Sequence, residues 1–137
     1  MKRLRNLIGK VPTGLLSVLT VLLILWLTLA PHPTGEIEIP LFPGADKVVH
    51  LLMFAFLSCI VLLETMKHSS WKPLSLVEIA FIAFGCAIFG FVIELVQHLM
   101  GLGRSFEILD ILADSAGAFG GAGLWAMFQN ILADTDQ

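Results

Sequence analysis

Apolar runs at about 14–30, 48–63, 74–100 and 108–132, separated by prolines, glycines and charges, divide the sequence. Crossing about 30 Å of hydrocarbon takes a helix of about 20 residues. Runs this apolar leave no polar face for water, so each predicts a transmembrane helix. The first stops at Pro31 and Pro33, which lack the amide hydrogen that a helix needs. Together with Pro40 and Pro43 they predict a stiff, extended strap between the first two helices. The expected fold is all-α: a polytopic membrane protein whose single domain, residues 1–137, is an antiparallel bundle of four transmembrane helices.

Composition sharpens this picture. Of 137 residues, 57% are hydrophobic and 14% charged, against about 25% charged in soluble domains. A core of this size cannot bury that much apolar surface. Soluble enzymes, disordered tails and disulfide-stapled secreted domains are thereby excluded. A net charge of −3 gives no basic surface for nucleic acid. Cys59 and Cys86 lie inside apolar runs, where they read as small packing residues. Lys2, Arg3 and Arg5 before an apolar run ending at Thr28 and Ala30 also resemble a signal peptide. That run is long enough to span, and Pro31 stands where cleavage would occur, which favours an uncleaved helix. Lys2, Arg3, Arg5 and Lys10 precede the first span, and Lys67 and Lys72 lie between the second and third. The positive-inside rule then places both termini in the cytoplasm, with the loops at 31–47 and 101–107 outside. The acidic tail with Asp134 and Asp136 carries little weight in that rule.

Polar residues gather at one end of this predicted bundle. Asp46, Lys47 and His50 open the second span, and Glu94, Gln97 and His98 close the third. Arg104 and Ser105 follow in the loop, and Asp110 and Asp114 open the fourth. At a rise of about 1.5 Å per residue, Glu94 and Asp114 each sit about 9 Å below the outer surface. An unpaired carboxylate inside the bilayer costs about 2.5–3.5 kcal/mol on insertion scales, so both need a partner or a polar cavity. Asp46 and His50 share one helical face, as do Glu94 and Gln97. Asp110, Asp114, Gly117 and Gly121 form a single stripe, and Ala113, Gly117 and Gly121 have the small-xxx-small spacing that admits a neighbouring backbone. A polar pocket between the second, third and fourth helices, continuing into an apolar groove over the glycines, satisfies all these faces.

The segments DKVVHLLMFAFLS (Asp46–Ser58), ELVQ (Glu94–Gln97) and GRSFEILDILADSAGAFGG (Gly103–Gly121) resemble the VanZ-like family of small bacterial membrane proteins. The resemblance covers the second to fourth helices in order, and the first by hydropathy alone. It implies polar family positions at Asp46, Lys47, His50, Glu94, Gln97, Arg104 and Asp110. Asp114 departs from the asparagine often found at that point of the pattern. The resemblance further implies a place in the bacterial cytoplasmic membrane and a link to the cell envelope, since the founding member is a teicoplanin-resistance accessory protein. It implies no established activity.

Three chemistries fit such a cluster. A binding pocket could hold an amphiphile's head, such as a lipid-linked cell-wall intermediate or a lipoglycopeptide. Arg104 would then grip phosphate in bidentate fashion, Lys47 would add charge, and carboxylates would bind sugar or peptide. An enzyme, hydrolase or transferase, acting on a lipid-linked phosphate could use His50 as base or nucleophile, oriented by Asp46 or Glu94. A divalent metal on His50, Glu94, Asp110 and Asp114 has suitable ligand types, yet no Glu-x-x-His or His-x-x-x-His pair sets the geometry. The expectation is therefore membrane lipids as partners, with no cofactor or metal and no assigned catalytic residue. A purely structural cluster, with carboxylates paired to Lys47, Arg104 and His50, is the plain alternative. Asp46 is expected to cap the second helix. Glu64 is expected to reach toward water, Glu78 to sit favourably on a helix dipole, and His98 to be interfacial. Trp26 reads as an aromatic-belt residue, and Phe81, Phe84, Phe89 and Phe91 as lipid-facing or packing residues. The glycines leave oligomeric state open.

Overall fold

A computed structural model of the chain describes residues 2–30, 43–101 and 107–133. They form α1 (Lys2–Lys10), α2 (Leu15–Leu29), α3 (Ala45–His68), α4 (Leu76–Met100) and α5 (Ile108–Ala133), with no strand among the described residues. α3, α4 and α5 are long and apolar enough to cross a membrane. α2 is equally apolar but has 15 residues, a length of about 22 Å. α1 was not anticipated; its residues read only as a basic leader. Of the predicted strap at 31–47, residues 31–42 lie outside the described residues, as do Asp134 and Asp136, while its last three residues, 45–47, belong to the first turn of α3.

Most of each long span is not fully buried within the chain: 33%, 28% and 33% of their apolar windows are buried. Val77, Phe81 and Phe84 on α4 and Leu112 and Met127 on α5 are among the exposed residues, and Trp26 is exposed as expected. Apolar faces this continuous suit lipid and not water.

α3 and α5 share the most extensive interface. They run side by side in the same direction, because Gly117 meets Leu51 and Gly121 meets Ala55 one turn further on. A Cβ on Gly117 would run into the Leu51 carbonyl oxygen, and one on Gly121 would lie 2.5 Å from the Ala55 oxygen. Only glycine permits backbones this close. These two glycines therefore serve internal packing, whereas Gly120 and Gly123 face open space. The open apolar groove expected over the glycine stripe is filled by α3. Ile24, Phe54, Leu57, Cys86, Ile93 and Ala118 form one core cluster, with Phe89 against Phe54 at 6.1 Å between centroids. Both cysteines are free; Cys59 Sγ lies 3.6 Å from the Gly121 carbonyl oxygen, and Cys86 is in the core.

Helix ends correct several expectations. Gly44, at φ +85°, is the N-cap of α3, which leaves Asp46 inside the first turn, paired with the Lys47 ammonium at 2.6 Å. Glu78 does more than sit on a dipole. With Ser75 it forms a capping box: Ser75 Oγ accepts from the Glu78 N–H at 3.3 Å, and Glu78 Oε2 from the Ser75 N–H at 2.8 Å. Glu64 does not reach toward water. It is 4% exposed and accepts from the N–H groups of Gly14 (3.0 Å), Leu16 (3.2 Å) and Ser17 (3.0 Å), and from Ser17 Oγ at 2.5 Å. Gly14, the α2 N-cap at φ +90°, has no side chain to offer, so a carboxylate from α3 takes over the capping of α2. Nearby, Lys67 Nζ donates to the Val11 carbonyl oxygen and Arg5 lies over the Trp71 ring at 5.1 Å, which joins α1 to this end. Gln129 fastens α5 to the start of α4 by accepting from the Leu74 N–H (2.8 Å) and donating to its carbonyl oxygen (3.0 Å).

Candidate functional site

The starts of α3 and α5 and the last turns of α4 meet at the end opposite Glu64. Because α3 and α5 run in parallel, residues near their N-termini come level, and α4 supplies its C-terminal half. Two layers of charge result.

The upper layer centres on Lys47. Its Nζ lies 2.6 Å from Asp46 Oδ2, 2.6 Å from Glu107 Oε2 and 3.0 Å from Asp110 Oδ1. An ammonium has three hydrogens, and here three carboxylates surround it. Lys47 is therefore committed to protein groups rather than held out toward a phosphate.

The lower layer lies about one helical turn inward. His50 Nδ1 is 2.9 Å from Asp114 Oδ1, and Asp114 is wholly buried. Where Asp114 is ionised its carboxylate only accepts hydrogen bonds, so in that state Nδ1 carries the hydrogen and donates it. The remaining lone pair is on Nε2. One oxygen each of Glu94 and Asp110 lies within 4.8 Å of the other and of a His50 nitrogen. Glu94 is 2% exposed, and its Oε1 has no hydrogen-bond partner among the described residues; the same holds for Asp114 Oδ2. Buried carboxylate oxygens without donors are costly, and both of these belong to residues of the lower layer.

Gly90 makes room for this layer. A Cβ there would sit 2.6 Å from Asp114 Oδ2, so the missing side chain lets the carboxylate press against α4. Sequence reasoning missed Gly90, although it lies four residues before Glu94 on the same helical face. It also passed over Glu107, which spacing alone did not join to Lys47. Of the predicted site residues, Asp46, Lys47, His50, Glu94, Asp110 and Asp114 stand together. Gln97 is buried but turned aside: its Nε2 donates to the Thr28 carbonyl oxygen at 2.7 Å, tying α4 to the end of α2. Arg104, with Ser105, falls outside the described residues. His98 is exposed, as an interfacial residue would be.

Five carboxylates against one lysine and one histidine, among the described residues, make the cluster net acidic. It can accept hydrogen bonds from a donor-rich ligand, hold a cation, or orient His50 for proton transfer.

Spanning-length helices, apolar outward faces and a buried ionisable cluster near one end define an all-helical membrane protein. The chain belongs to the VanZ/LLP1 family, whose sequence profile matches residues 16–129, from α2 to near the end of α5. No curated protein and no solved structure matches the chain.

Proposed function

We propose that the protein is a four-helix membrane protein of the bacterial cytoplasmic membrane, with α2 as the fourth membrane helix. Its acidic cluster binds the polar head of an amphiphile, such as a lipid-linked cell-wall intermediate or a lipoglycopeptide. The observation that carries this reading is the pair of buried, donorless oxygens, Glu94 Oε1 and Asp114 Oδ2. Sugar hydroxyls, amides and ammonium groups are the donors such oxygens lack, and envelope amphiphiles present them at interfacial depth. With Lys47 held by three carboxylates, Arg104 is left as the residue to meet a phosphate. The teicoplanin connection comes with the family alone.

The test is native mass spectrometry of the full chain with envelope lipids. A lipid-linked head-group species should stay bound to the wild type and dissociate from Glu94→Gln at least tenfold more readily. If no lipid associates above background, and substitutions in the cluster change only thermal stability, the cluster is structural. A second reading, as an enzyme on a lipid-linked phosphate, is favoured by His50 donating to buried Asp114, an arrangement that orients a general base. In that case the retained lipid is chemically changed, and His50→Ala abolishes product while binding persists.

Orientation is proposed from charge. Arg5, Lys67 and Trp71 meet at the end opposite the cluster, and the positive-inside rule assigns that end to the cytoplasm. With Cys59 and Cys86 replaced by serine, a cysteine introduced at Gly35 should react with an impermeant reagent added outside. Reaction from the cytoplasmic side alone would invert the topology.

A further inference from the structure

We propose that His50, Glu94 and Asp110 form a divalent-metal site of the zinc or manganese class, with Asp114 as the outer partner that orients the histidine. The residues come from three helices, which is why no short spacing in the sequence announced them. One oxygen or nitrogen of each lies within 4.8 Å of the others. Ligands about 2.0–2.2 Å from a common metal lie within about 4.4 Å of one another, so small side-chain rotations close the set.

Independent features point the same way. Glu94 is 2% exposed, and its Oε1 lacks a partner within this cluster. A metal-bound histidine ordinarily gives its other N–H to a carboxylate, which is the relation of His50 to Asp114 at 2.9 Å. The neighbouring carboxylate triad, Asp46, Glu107 and Asp110, supplies a comparison within the same molecule. There the Lys47 ammonium sits at the centre. The lower triad shares Asp110 with the upper one, but among the described residues no lysine is paired with Glu94.

The donor set selects the ion. An imidazole with two carboxylates suits zinc or manganese, whereas magnesium and calcium favour sites made of oxygen alone. Cys59 does not compete, because its sulfur lies against the Gly121 carbonyl oxygen, two turns along α5 from Asp114. Three protein ligands leave a coordination position open. On the amphiphile reading, and only on it, that position is where a phosphate or carboxylate head meets an otherwise acidic cluster.

The experiment uses the full-length protein in detergent, stripped by a chelator and dialysed against zinc or manganese separately. Metal content should reach one ion per chain. Glu94→Gln and His50→Gln should each lose at least tenfold in affinity, and Asp114→Asn about 10–100-fold. Glu78→Gln, an exposed carboxylate in the capping box at the other end of α4, should bind as the wild type does. Cobalt should give d–d absorption bands without thiolate charge transfer, and Glu94→Gln should remove them. Each variant is first shown to be helical and monodisperse; if one fails, the other lower-layer variants and the cobalt spectrum decide. Stoichiometry well below one, wild-type affinity in Glu94→Gln and His50→Gln, or equal loss in Glu78→Gln overturns the site. A short-chain phosphatidate separates this inference from the amphiphile reading. If metal binds as expected but phosphatidate affinity ignores it, the metal site stands and its role in head-group binding falls.

Discussion

Glu64→Ala should destabilise the protein by about 2–4 kcal/mol, read as a lower midpoint of unfolding in a denaturing detergent titration. The carboxylate is buried and accepts from three backbone N–H groups and one hydroxyl of α2. Charged hydrogen bonds are worth about 1.5–3 kcal/mol each at most, and they share one side chain, so their energies do not add fully. Alanine leaves the first amides of α2 unpaired, and Gly14 cannot replace the cap. Glu64→Gln keeps one carbonyl oxygen in the right place and should lie between alanine and the wild type. If Glu64→Ala unfolds at the wild-type midpoint, this carboxylate does not hold α2 to α3.

Gly117→Ala should be worse than its size implies, with a loss of about 1–3 kcal/mol or failure to fold. The added methyl meets the Leu51 carbonyl oxygen and, close behind it, the Ala55 nitrogen. Backbone atoms cannot rotate out of the way as a side chain would. The control is Gly120→Ala, three residues away in the same helix with nothing within 4 Å of an added Cβ. Replacing that glycine should be neutral, or stabilising by up to about 1 kcal/mol through helix propensity. Equal losses at both positions would contradict the close approach of α3 and α5.

The long helices were legible because nothing but lipid suits their outward faces. Hydropathy located α3, α4 and α5 to within a few residues, with α3 starting three residues earlier and ending five later than the apolar run. Those extra turns carry polar residues, Asp46 and Lys47 at one end and Glu64 within the helix at the other, which a hydropathy window discounts. The fates of Glu64 and Gln129 were not legible. Each bonds to backbone about fifty residues away, and no local period records such a pairing. At the site, i, i+4 spacing placed Asp46 with His50 and Asp110 with Asp114 on common faces. It could not show that a lysine one residue from Asp46 would collect three carboxylates. Gln97 shared a face with Glu94, but a face is wide enough to serve two neighbours, and the amide turned to α2. Small-xxx-small spacing revealed a groove on α5 but not its occupant, because an open cleft and a packed backbone require the same glycines.

The Glu64 cap also bears on how the chain matures. Its acceptor lies 48 residues beyond Leu16 and 50 beyond Gly14, so α2 leaves the ribosome long before its first amides can be paired. Until α3 has emerged almost entire, α2 is a short apolar rod with an unfinished end. Arrival of Glu64 completes both helices together, and the hairpin they form is the first unit of the protein that can satisfy its own backbone at that end.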